Sequence, residues 1–317
     1  MEELNHFAER IQLLRNRMAD VIVGQQEAVD LVLTAIMAGG HVLIEGVPGV
    51  AKTLLARLLA RLIDCRFSRV QFTPDLMPSD VLGTSVFNMK TQEFEFHAGP
   101  VFAELVLVDE VNRAPAKTQA ALFEVMEERQ VTIDGHTYPM PDVYTILATQ
   151  NPVEQEGTYK LPEAQTDRFL MKIVMGYPTL DEEVTILKRH HTNQRLVKLD
   201  DVEPVLTRDE LQHFRALVGQ VFVEPSLMRY IAAIVQQTRQ SKAVFLGASP
   251  RAAVAMLNAS KAYALLQGRD FVTPDDIQFV TPSILQHRLI LTAEAEMEGH
   301  TPLKVVRRLM DKVEVPK

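Results

Sequence analysis

Residues 41–54 read HVLIEGVPGVAKTL, and this stretch decides the fold of the chain. An apolar run ends at Glu45, a glycine- and proline-containing loop follows, and Lys52 leads into a second apolar run from Leu54 to Leu62. Glycines let backbone N–H groups turn inward around an anion, and the start of a helix adds the positive end of its dipole. The stretch therefore predicts a phosphate-binding loop between a strand and a helix.

Three residues of the loop have separate expected roles. Lys52 is placed to reach the β- and γ-phosphates of a nucleotide, and the Thr53 hydroxyl is placed to ligate Mg²⁺. The general pattern has glycine before the lysine, where this chain has Ala51. Since that position opens a helix, we expect a negative φ there and little cost for alanine.

Composition narrows the class of protein. The chain has 317 residues, 47% of them hydrophobic, enough for one large or two medium domains. Its net charge of −8 gives no indication of a large non-specific affinity for nucleic acid. Cys65 is the only cysteine, so no internal disulfide forms, and it lies among apolar residues as a buried thiol does. Without a secretory signal or a run of apolar residues long enough for a membrane span, we expect a cytoplasmic protein.

The order of predicted elements indicates an α/β fold. Apolar runs near residues 42, 67, 105, 144 and 170 alternate with helical segments and predict a five-stranded parallel sheet. Two β-hairpins are predicted as insertions, at about 84–96 and 131–138, and a polar loop at 154–162. After Pro178 the pattern becomes helical, over 181–192, 207–219, 225–240, 249–267, 273–290 and 301–314. We therefore predict an α/β domain over residues 1–178 and an all-helical domain over residues 179–317.

Polar residues at strand ends are the candidate catalytic groups. Asp109 and Glu110 follow a wholly apolar run, which suits a central parallel strand whose carboxyl end faces a ligand. Asp109 is a natural Mg²⁺ partner for Thr53, and Glu110 a natural base for an attacking water. Asn151 follows the next strand, where it can orient water or contact a γ-phosphate; a simple turn asparagine explains it equally well.

Two further segments have expected roles in binding. An apolar turn at residues 21–24, between helical segments at 4–19 and 26–38, is suited to a purine base, although plain packing accounts for it as well. Arg251 lies in the first turn of a predicted helix, where a cation opposes the helix dipole. A nearby anion would explain that placement.

Together these motifs resemble the AAA+ ATPases, specifically the helix-2-insert branch and its MoxR family. The resemblance covers nearly the whole chain and implies a P-loop NTPase core with a C-terminal helical lid. It rests on the phosphate loop together with these motifs: FTPDLMPSD at 72–80, GPVF at 99–102, VDEVNRA at 108–114, MEERQVT at 126–132, ATQNP at 148–152, LPEAQ at 161–165 with DRF at 167–169, and ASPR at 248–251.

The resemblance implies a role for each site residue. Glu110 would activate water, Asn151 would be the first sensor, Arg168 an arginine finger supplied to a neighbouring subunit, and Arg251 the second sensor. Arg113 is a further candidate for a contact between subunits. Mg²⁺ would bind at Thr53 and Asp109. ATP or ADP would bind at Val23, Gly24, Gly46, Val47, Pro48, Gly49, Val50, Ala51, Lys52, Thr53, Leu54 and Asp109.

The resemblance also implies partners. It predicts a homo-oligomer, a hexameric ring, that hydrolyses ATP and remodels, matures or loads cofactors into clients with von Willebrand factor A domains. The hairpins would face the ring pore. A nucleic-acid translocase, a metal-chelatase motor and a non-hydrolytic nucleotide switch are the alternatives. Lys90 against Glu93 and Glu95 on the first hairpin counts against nucleic acid, which we do not expect as a partner.

Overall fold

The fold is taken from a computed structural model that describes residues 2–151, 159, 161–191 and 199–316. The predicted polar loop at 154–162 lies mostly outside the described residues, as does residue 192 at the end of a predicted helix. The strands are β1 (Val42–Gly46), β2 (Phe67–Gln71), β3 (Gly83–Asn88), β4 (Glu93–Ala98), β5 (Leu105–Asp109), β6 (Gln130–Ile133), β7 (His136–Pro139), β8 (Thr145–Gln150), β9 (Met171–Met175), β10 (Val244–Leu246) and β11 (Ile290–Leu291).

Helices connect and flank these strands. They are α1 (Glu2–Val21), α2 (Gln26–Met37), α3 (Lys52–Leu62), α4 (Pro78–Leu82), α5 (Ala116–Glu128), α6 (Glu163–Thr166), α7 (Leu180–His191), α8 (Arg208–Gln220), α9 (Pro225–Gln240), α10 (Pro250–Leu266), α11 (Pro274–Leu285), α12 (Ala293–Met297) and α13 (Pro302–Met310). Short 3₁₀ turns occur at Pro100–Phe102, Val111–Arg113 and Leu199–Asp201.

The central sheet confirms the prediction of five parallel strands. Its order is β2-β5-β8-β1-β9, and every neighbouring pair is parallel. The strand with the phosphate loop, β1, lies between β8 and β9. Because all five strands run the same way, their carboxyl ends meet at one edge of the sheet, where ligands of open α/β sheets bind.

Side chains of the sheet alternate between two hydrophobic cores. In β5, Leu105 and Leu107 join the core shared with α1, α2, α3 and the C-terminal helices, whereas Val106 and Val108 join the core beneath α5. All of them are buried. A strand covered on both faces has to be apolar along its whole length, which explains the continuous run in the sequence.

Both predicted hairpins form. Strands β3 and β4 pair from Gly83↔Ala98 to Asn88↔Glu93, and β6 pairs with β7 from Gln130↔Pro139 to Ile133↔His136. Phe96 of β4 stacks on Tyr138 of β7, with ring centroids 4.1 Å apart. The two insertions are therefore in contact.

Among its described residues, the C-terminal region is helical apart from two β pairings that the sequence did not predict, an isolated bridge between Phe222 and Phe271 and one short ribbon. Strands β10 and β11 pair as an antiparallel ribbon, so the region is not all-helical. The helix predicted over 273–290 ends at Leu285, and Ile290 and Leu291 belong to the ribbon instead. Strands of two or three residues leave too short an alternation to recognise. The domain boundary at residue 178 stays a prediction.

Candidate functional site

The phosphate loop joins β1 to α3. Gly46 pairs with Met175 of β9, and a Cβ at Gly46 would lie 2.8 Å from the Met175 carbonyl oxygen, so only glycine fits. The Lys52 ammonium donates a hydrogen bond to the Gly46 carbonyl. The side chain of Lys52 therefore lies over the loop, where the resemblance places the phosphates.

Ala51 corrects one prediction. Its φ of 66° and ψ of 22° are left-handed, so the expectation of a negative φ was wrong. Ala51 is the N-cap of α3, and its carbonyl accepts the first hydrogen bond of the helix, from the Leu55 amide at 2.9 Å. Its own backbone is not yet helical, because the loop ends in a left-handed turn at this residue. Glycine adopts that turn without cost, whereas alanine loses about 1–2 kcal/mol. The left-handed backbone at this position thus explains why the general pattern of the loop has glycine before the lysine.

The two acids lie at the end of β5, beside β8. The Thr149 hydroxyl donates to Asp109 Oδ1 at 3.1 Å and accepts from the Glu110 amide at 3.0 Å. Glu110 has a φ of 57°, a left-handed conformation that costs a non-glycine residue free energy and is common at functional sites. Thr149 therefore fixes the backbone of Glu110 and the carboxylate of Asp109 together.

Neighbouring side chains also contact the acids. Arg69 Nε lies 2.6 Å from Asp109 Oδ2, and Gln71 Nε2 donates to Glu110 Oε2 at 2.6 Å. Arg113 Nε lies 3.0 Å from the same Glu110 oxygen. Sequence reasoning did not find Arg69, Gln71 or Thr149. The alternation of β2 places Arg69 and Gln71 on one face, but only the pairing of β2 with β5 brings them to the acids.

A cavity of about 340 Å³ joins these groups. It is lined by Pro48, Gly49, Ala51, Lys52, Thr53, Leu54, Arg69, Gln71, Asp109, Glu110, Thr149 and Asn151. The structure thus brings together part of the loop, both acids and Asn151 at one cavity. Gly46, Val47 and Val50 build the loop behind this surface, and Val50 is buried.

The chemistry of these side chains fits Mg²⁺. The Thr53 hydroxyl and the Asp109 carboxylate are hard oxygen donors at one cavity. Within the described ranges, no group of three or more His, Cys, Asp or Glu residues forms a metal cage. Mg²⁺ is held by one or two protein oxygens together with phosphates and water rather than by such a cage, so the donor set agrees with the ion.

A second cavity lies beside Gly24. It measures about 400 Å³, in the range of small-molecule sites, and is bordered by the end of β9 and by α11 and α13. Tyr177, Leu303 and Arg307 are among its lining residues. Gly24 has a φ of +75°, a left-handed conformation that favours glycine, and a Cβ there would lie 2.4 Å from the carboxyl carbon of Glu182, whose side chain would have to move. Val23 is half-buried, and the residue that follows it, Gly24, lines this cavity.

Arg168 and Arg251 lie away from the loop cavity, and both contact the carboxylate of Glu127. Neither is among the described residues that line the loop cavity. Arg168 binds Glu127 Oε2 through Nη2 at 2.7 Å and Nε at 2.8 Å, and Arg251 Nη2 lies 3.2 Å from Glu127 Oε1. The hydrogen bond and charge of Arg168, and then those of Arg251, lower the pKa of Glu127. We name Glu127, Arg168 and Arg251 the arginine cluster.

The arginine cluster lies at the opposite end of the sheet from the phosphate loop. His41 immediately precedes β1, and its ring bonds the carbonyl of Met126, next to Glu127, at 3.3 Å. The His41 carbonyl accepts the Leu170 amide, two residues after Arg168, at 2.8 Å. Since β1 has five residues, about 3.3 Å each, roughly 16 Å of strand separate this end from the loop.

Comparison with known proteins agrees with this architecture. Residues 41–171 match the model of the ATPase family associated with various cellular activities (AAA), and residues 236–309 match that of the AAA lid domain. The chain superposes on the crystal structure of a proposed ATPase from Cytophaga hutchinsonii with a TM-score of 0.91 and 41% identity, over 100% of this chain and 98% of that one.

Two relatives decide the family. The uncharacterised protein YeaC of Bacillus subtilis is 49% identical over 93% of this chain and 92% of its own length. The chaperone MoxR1 of Mycobacterium tuberculosis is 43% identical over 93% of this chain and 80% of its own length. The chain belongs to the MoxR family of AAA ATPases. The resemblance of its motifs is thereby confirmed, together with the α/β core and the helical lid region.

Two features that bear on other classes of function are also clear in this MoxR-family chain. Throughout the part of the chain that the structure describes, no helix combines the length and apolar character needed to cross a bilayer. Burial raises the pKa of the Cys65 thiol to about 12, so it is no nucleophile at neutral pH.

Proposed function

We propose that this MoxR-family chain hydrolyses ATP at a site shared between two protomers of a homo-oligomeric ring. The observation that carries the proposal is the distance between the phosphate loop and the arginine cluster. Arg168 and Arg251 lie about a strand length from the loop of their own chain, a separation that arginine side chains do not span. A neighbouring protomer brings the two ends together.

The loop cavity supplies binding and the base. Lys52 and the loop amides hold the phosphates, with Thr53 and Asp109 as the Mg²⁺ ligands. When bound, Mg²⁺ neutralises phosphate charge. Glu110 accepts a proton from the attacking water, whose oxygen forms a bond to the γ-phosphorus as the bond to the leaving oxygen of ADP breaks. Asn151, at the edge of the same cavity, orients that water or the γ-phosphate.

Both arginines act across the interface in this proposal. A cation supplied to the transferring phosphoryl group by a neighbour accelerates hydrolysis by about 10³–10⁵. Because Arg251 shares a carboxylate with Arg168, the two reach the same neighbouring nucleotide, so Arg251 also acts in trans. The adenine base lies at Val23 and Gly24, in the cavity that Tyr177 and Arg307 border.

We further propose a protein as the client. The hairpin formed by β3 and β4 exposes Met89 at 86% and Phe94 at 72% of their surface, beside the acidic Glu93 and Glu95. An apolar and acidic tip suits a polypeptide and repels a nucleic-acid backbone. The name of the Mycobacterium tuberculosis relative, a chaperone, supports remodelling of clients, and the motif resemblance supports von Willebrand factor A domains and a hexameric ring.

A mixing experiment tests the shared site. Glu110→Gln removes the base but keeps the arginines, whereas Arg168→Ala keeps the base. Each variant alone is expected to hydrolyse ATP poorly, and an equimolar mixture to recover activity, since about one interface in four then joins an intact base to an intact arginine. A mixture no better than its components, or a monomer as active as the oligomer, would refute the trans arrangement.

Arg251→Ala in the same assay decides its side of the interface. Recovery on mixing with Glu110→Gln places it in trans. Failure to recover, with Arg168→Ala recovering, places it in cis. Material retained by the Glu110→Gln protein in ATP, identified by mass spectrometry, tests the client assignment, and native mass spectrometry in ATP gives the ring size.

A further inference from the structure

The backbone around Arg168 is held by its neighbours, whereas its side chain is held by Glu127. The buried guanidinium of Arg288 bonds Asp167 Oδ1 at 2.6 Å and the Phe169 carbonyl at 2.7 Å, on either side of Arg168. The Arg168 side chain itself is 28% exposed, and the contacts that the structure gives it run to Glu127. Since Nε and Nη2 both contact Glu127 Oε2, the Nε edge of the guanidinium faces this carboxylate.

The backbone of Arg251 is likewise fixed, and its side chain contacts Glu127. It lies in the first turn of α10, followed by the fully buried Ala252, while its own side chain is 70% exposed. Two guanidinium groups that contact the same carboxylate repel each other, and the start of the helix adds to the repulsion on Arg251. Glu127 is the carboxylate that offsets both effects.

Stability does not account for this arrangement. Exposed ion pairs contribute about 0–1 kcal/mol, because solvent screens them and ordering long side chains costs entropy. An arginine has five N–H donors; Arg168 directs two nitrogens to Glu127 and Arg251 directs one, so both retain donors for another anion. The cluster keeps a net charge of +1, which suits a phosphate group.

We propose that Glu127 is a positioning residue that holds Arg168 and Arg251 side by side, oriented for one phosphate group of the neighbouring protomer's nucleotide. This inference rests on the proposed function. Glu127 does not touch the nucleotide; it acts through the two arginines. The lowered pKa of its carboxyl keeps it ionised at neutral pH, as that role requires.

The test compares Glu127→Ala with Glu124→Ala. Glu124 is an exposed glutamate one turn earlier on α5, so it reproduces the loss of charge without the arginine contacts. For Glu127→Ala we expect kcat to fall about tenfold, as expected for misplaced catalytic groups, with KM for ATP, nucleotide affinity and the melting temperature unchanged. Glu124→Ala is expected to match the wild type throughout.

Two readouts separate positioning from a structural role. Glu127→Ala added to Arg168→Ala is expected to lower kcat by a smaller factor than it does in the wild type, since one of the two arginines that Glu127 holds is then already gone. Mixing Glu127→Ala with Glu110→Gln protomers is expected to restore activity, because the Glu110→Gln protomers supply correctly held arginines. A defect confined to a protomer's own site would not be restored by mixing.

The other outcomes overturn the proposal. A Glu127→Ala protein with wild-type or increased kcat would mean that Glu127 is dispensable or restrains the arginines, and a fully additive double variant would mean that it acts elsewhere. In either case an active wild-type protein leaves the proposed function intact. A wild-type chain that does not hydrolyse ATP refutes both.

Discussion

The two ends of the central sheet differ in how they are built. At the carboxyl end, Asp109 and Thr149 are buried and joined by hydrogen bonds from adjacent strands. At the amino end, Glu127, Arg168 and Arg251 are exposed to different degrees and come from segments far apart in the chain. A buried network suits binding of a ligand by one chain, whereas exposed paired charges suit a contact that forms only on assembly.

Substitutions at the two ends are expected to separate binding from hydrolysis, and this is the largest effect. Lys52→Ala removes the cation of the loop and is expected to weaken ATP binding at least about 100-fold, consistent with loss of a half-buried charge-assisted contact. Arg168→Ala is expected to leave binding unchanged and to lower kcat by about 10³. Fluorescent-nucleotide titration and steady-state ATPase assays measure the two effects.

Lys117→Ala is the matched control for charge, because Lys117 is exposed at the start of α5. It is expected to behave as the wild type in both assays. If Lys52→Ala and Arg168→Ala weakened ATP binding equally, the carboxyl end would not be the end that binds ATP while the amino end accelerates its hydrolysis.

Acid is expected to lower the free energy of unfolding through His41, which lies at the amino end of the sheet. Its ring accepts the Ile146 amide at Nδ1 and donates to the Met126 carbonyl, and burial lowers its pKa from 6.5 to about 3. The unfolded chain therefore binds a proton more readily below pH 6.5, so stability is lost as the pH falls. From pH 7 to 5 this one group costs about 2 kcal/mol of unfolding free energy.

Burial also lowers the pKa of His287 well below its usual value, so it acts in the same direction. Urea unfolding at pH 7 and pH 5 measures the combined loss. His41→Gln is expected to be less stable at pH 7 but to lose less stability on acidification. His136→Gln, at an exposed histidine, should keep the wild-type pH dependence. An unchanged pH dependence in His41→Gln would show that another group dominates.

Gln71 tests the network at the carboxyl end. Its amide bonds Glu110 Oε2, the oxygen that Arg113 also contacts, and so helps to fix the orientation of the carboxylate. Gln71→Ala is expected to lower kcat about tenfold while the affinity for ATP stays unchanged, because a slightly misplaced base loses much of its effect. Gln130→Ala, at an exposed glutamine of β6, is the control. A parallel loss of ATP affinity would assign Gln71 to binding instead.

Local sequence patterns predicted the carboxyl end more fully than the amino end. The phosphate loop is contiguous and Asp109 ends an apolar run, so spacing alone indicates them, whereas spacing did not separate Asn151 from a turn asparagine. Arg69, Gln71 and Thr149 join the site only through the order of β2, β5 and β8, which no local pattern contains.

The amino end shows the same limit more strongly. The roles of Arg168 and Arg251 were predicted only from a family resemblance. Glu127 belongs to the MEERQVT motif, but no role was predicted for it. Its contacts bridge 41 positions to Arg168 and 124 positions to Arg251. Periodicity describes elements, not the placement of α10 against α5, so the cluster required the structure.

The smallest expected effect concerns two left-handed residues, one at each end. Ala51 precedes α3 with a φ of 66°, and Arg129 follows α5 with a φ of 51°. Glycine removes the left-handed cost of about 1–2 kcal/mol but loses about 0.5–1 kcal/mol of chain entropy, so Ala51→Gly is expected to stabilise the protein by up to about 1.5 kcal/mol. Arg129→Gly relieves the same backbone but removes a hydrogen bond from Arg129 Nη2 to the Gly39 carbonyl at 2.7 Å, so it should gain nothing. Urea unfolding measures both. A gain for Arg129→Gly as large as that for Ala51→Gly would show that the side chain of Arg129 does not hold the amino end together.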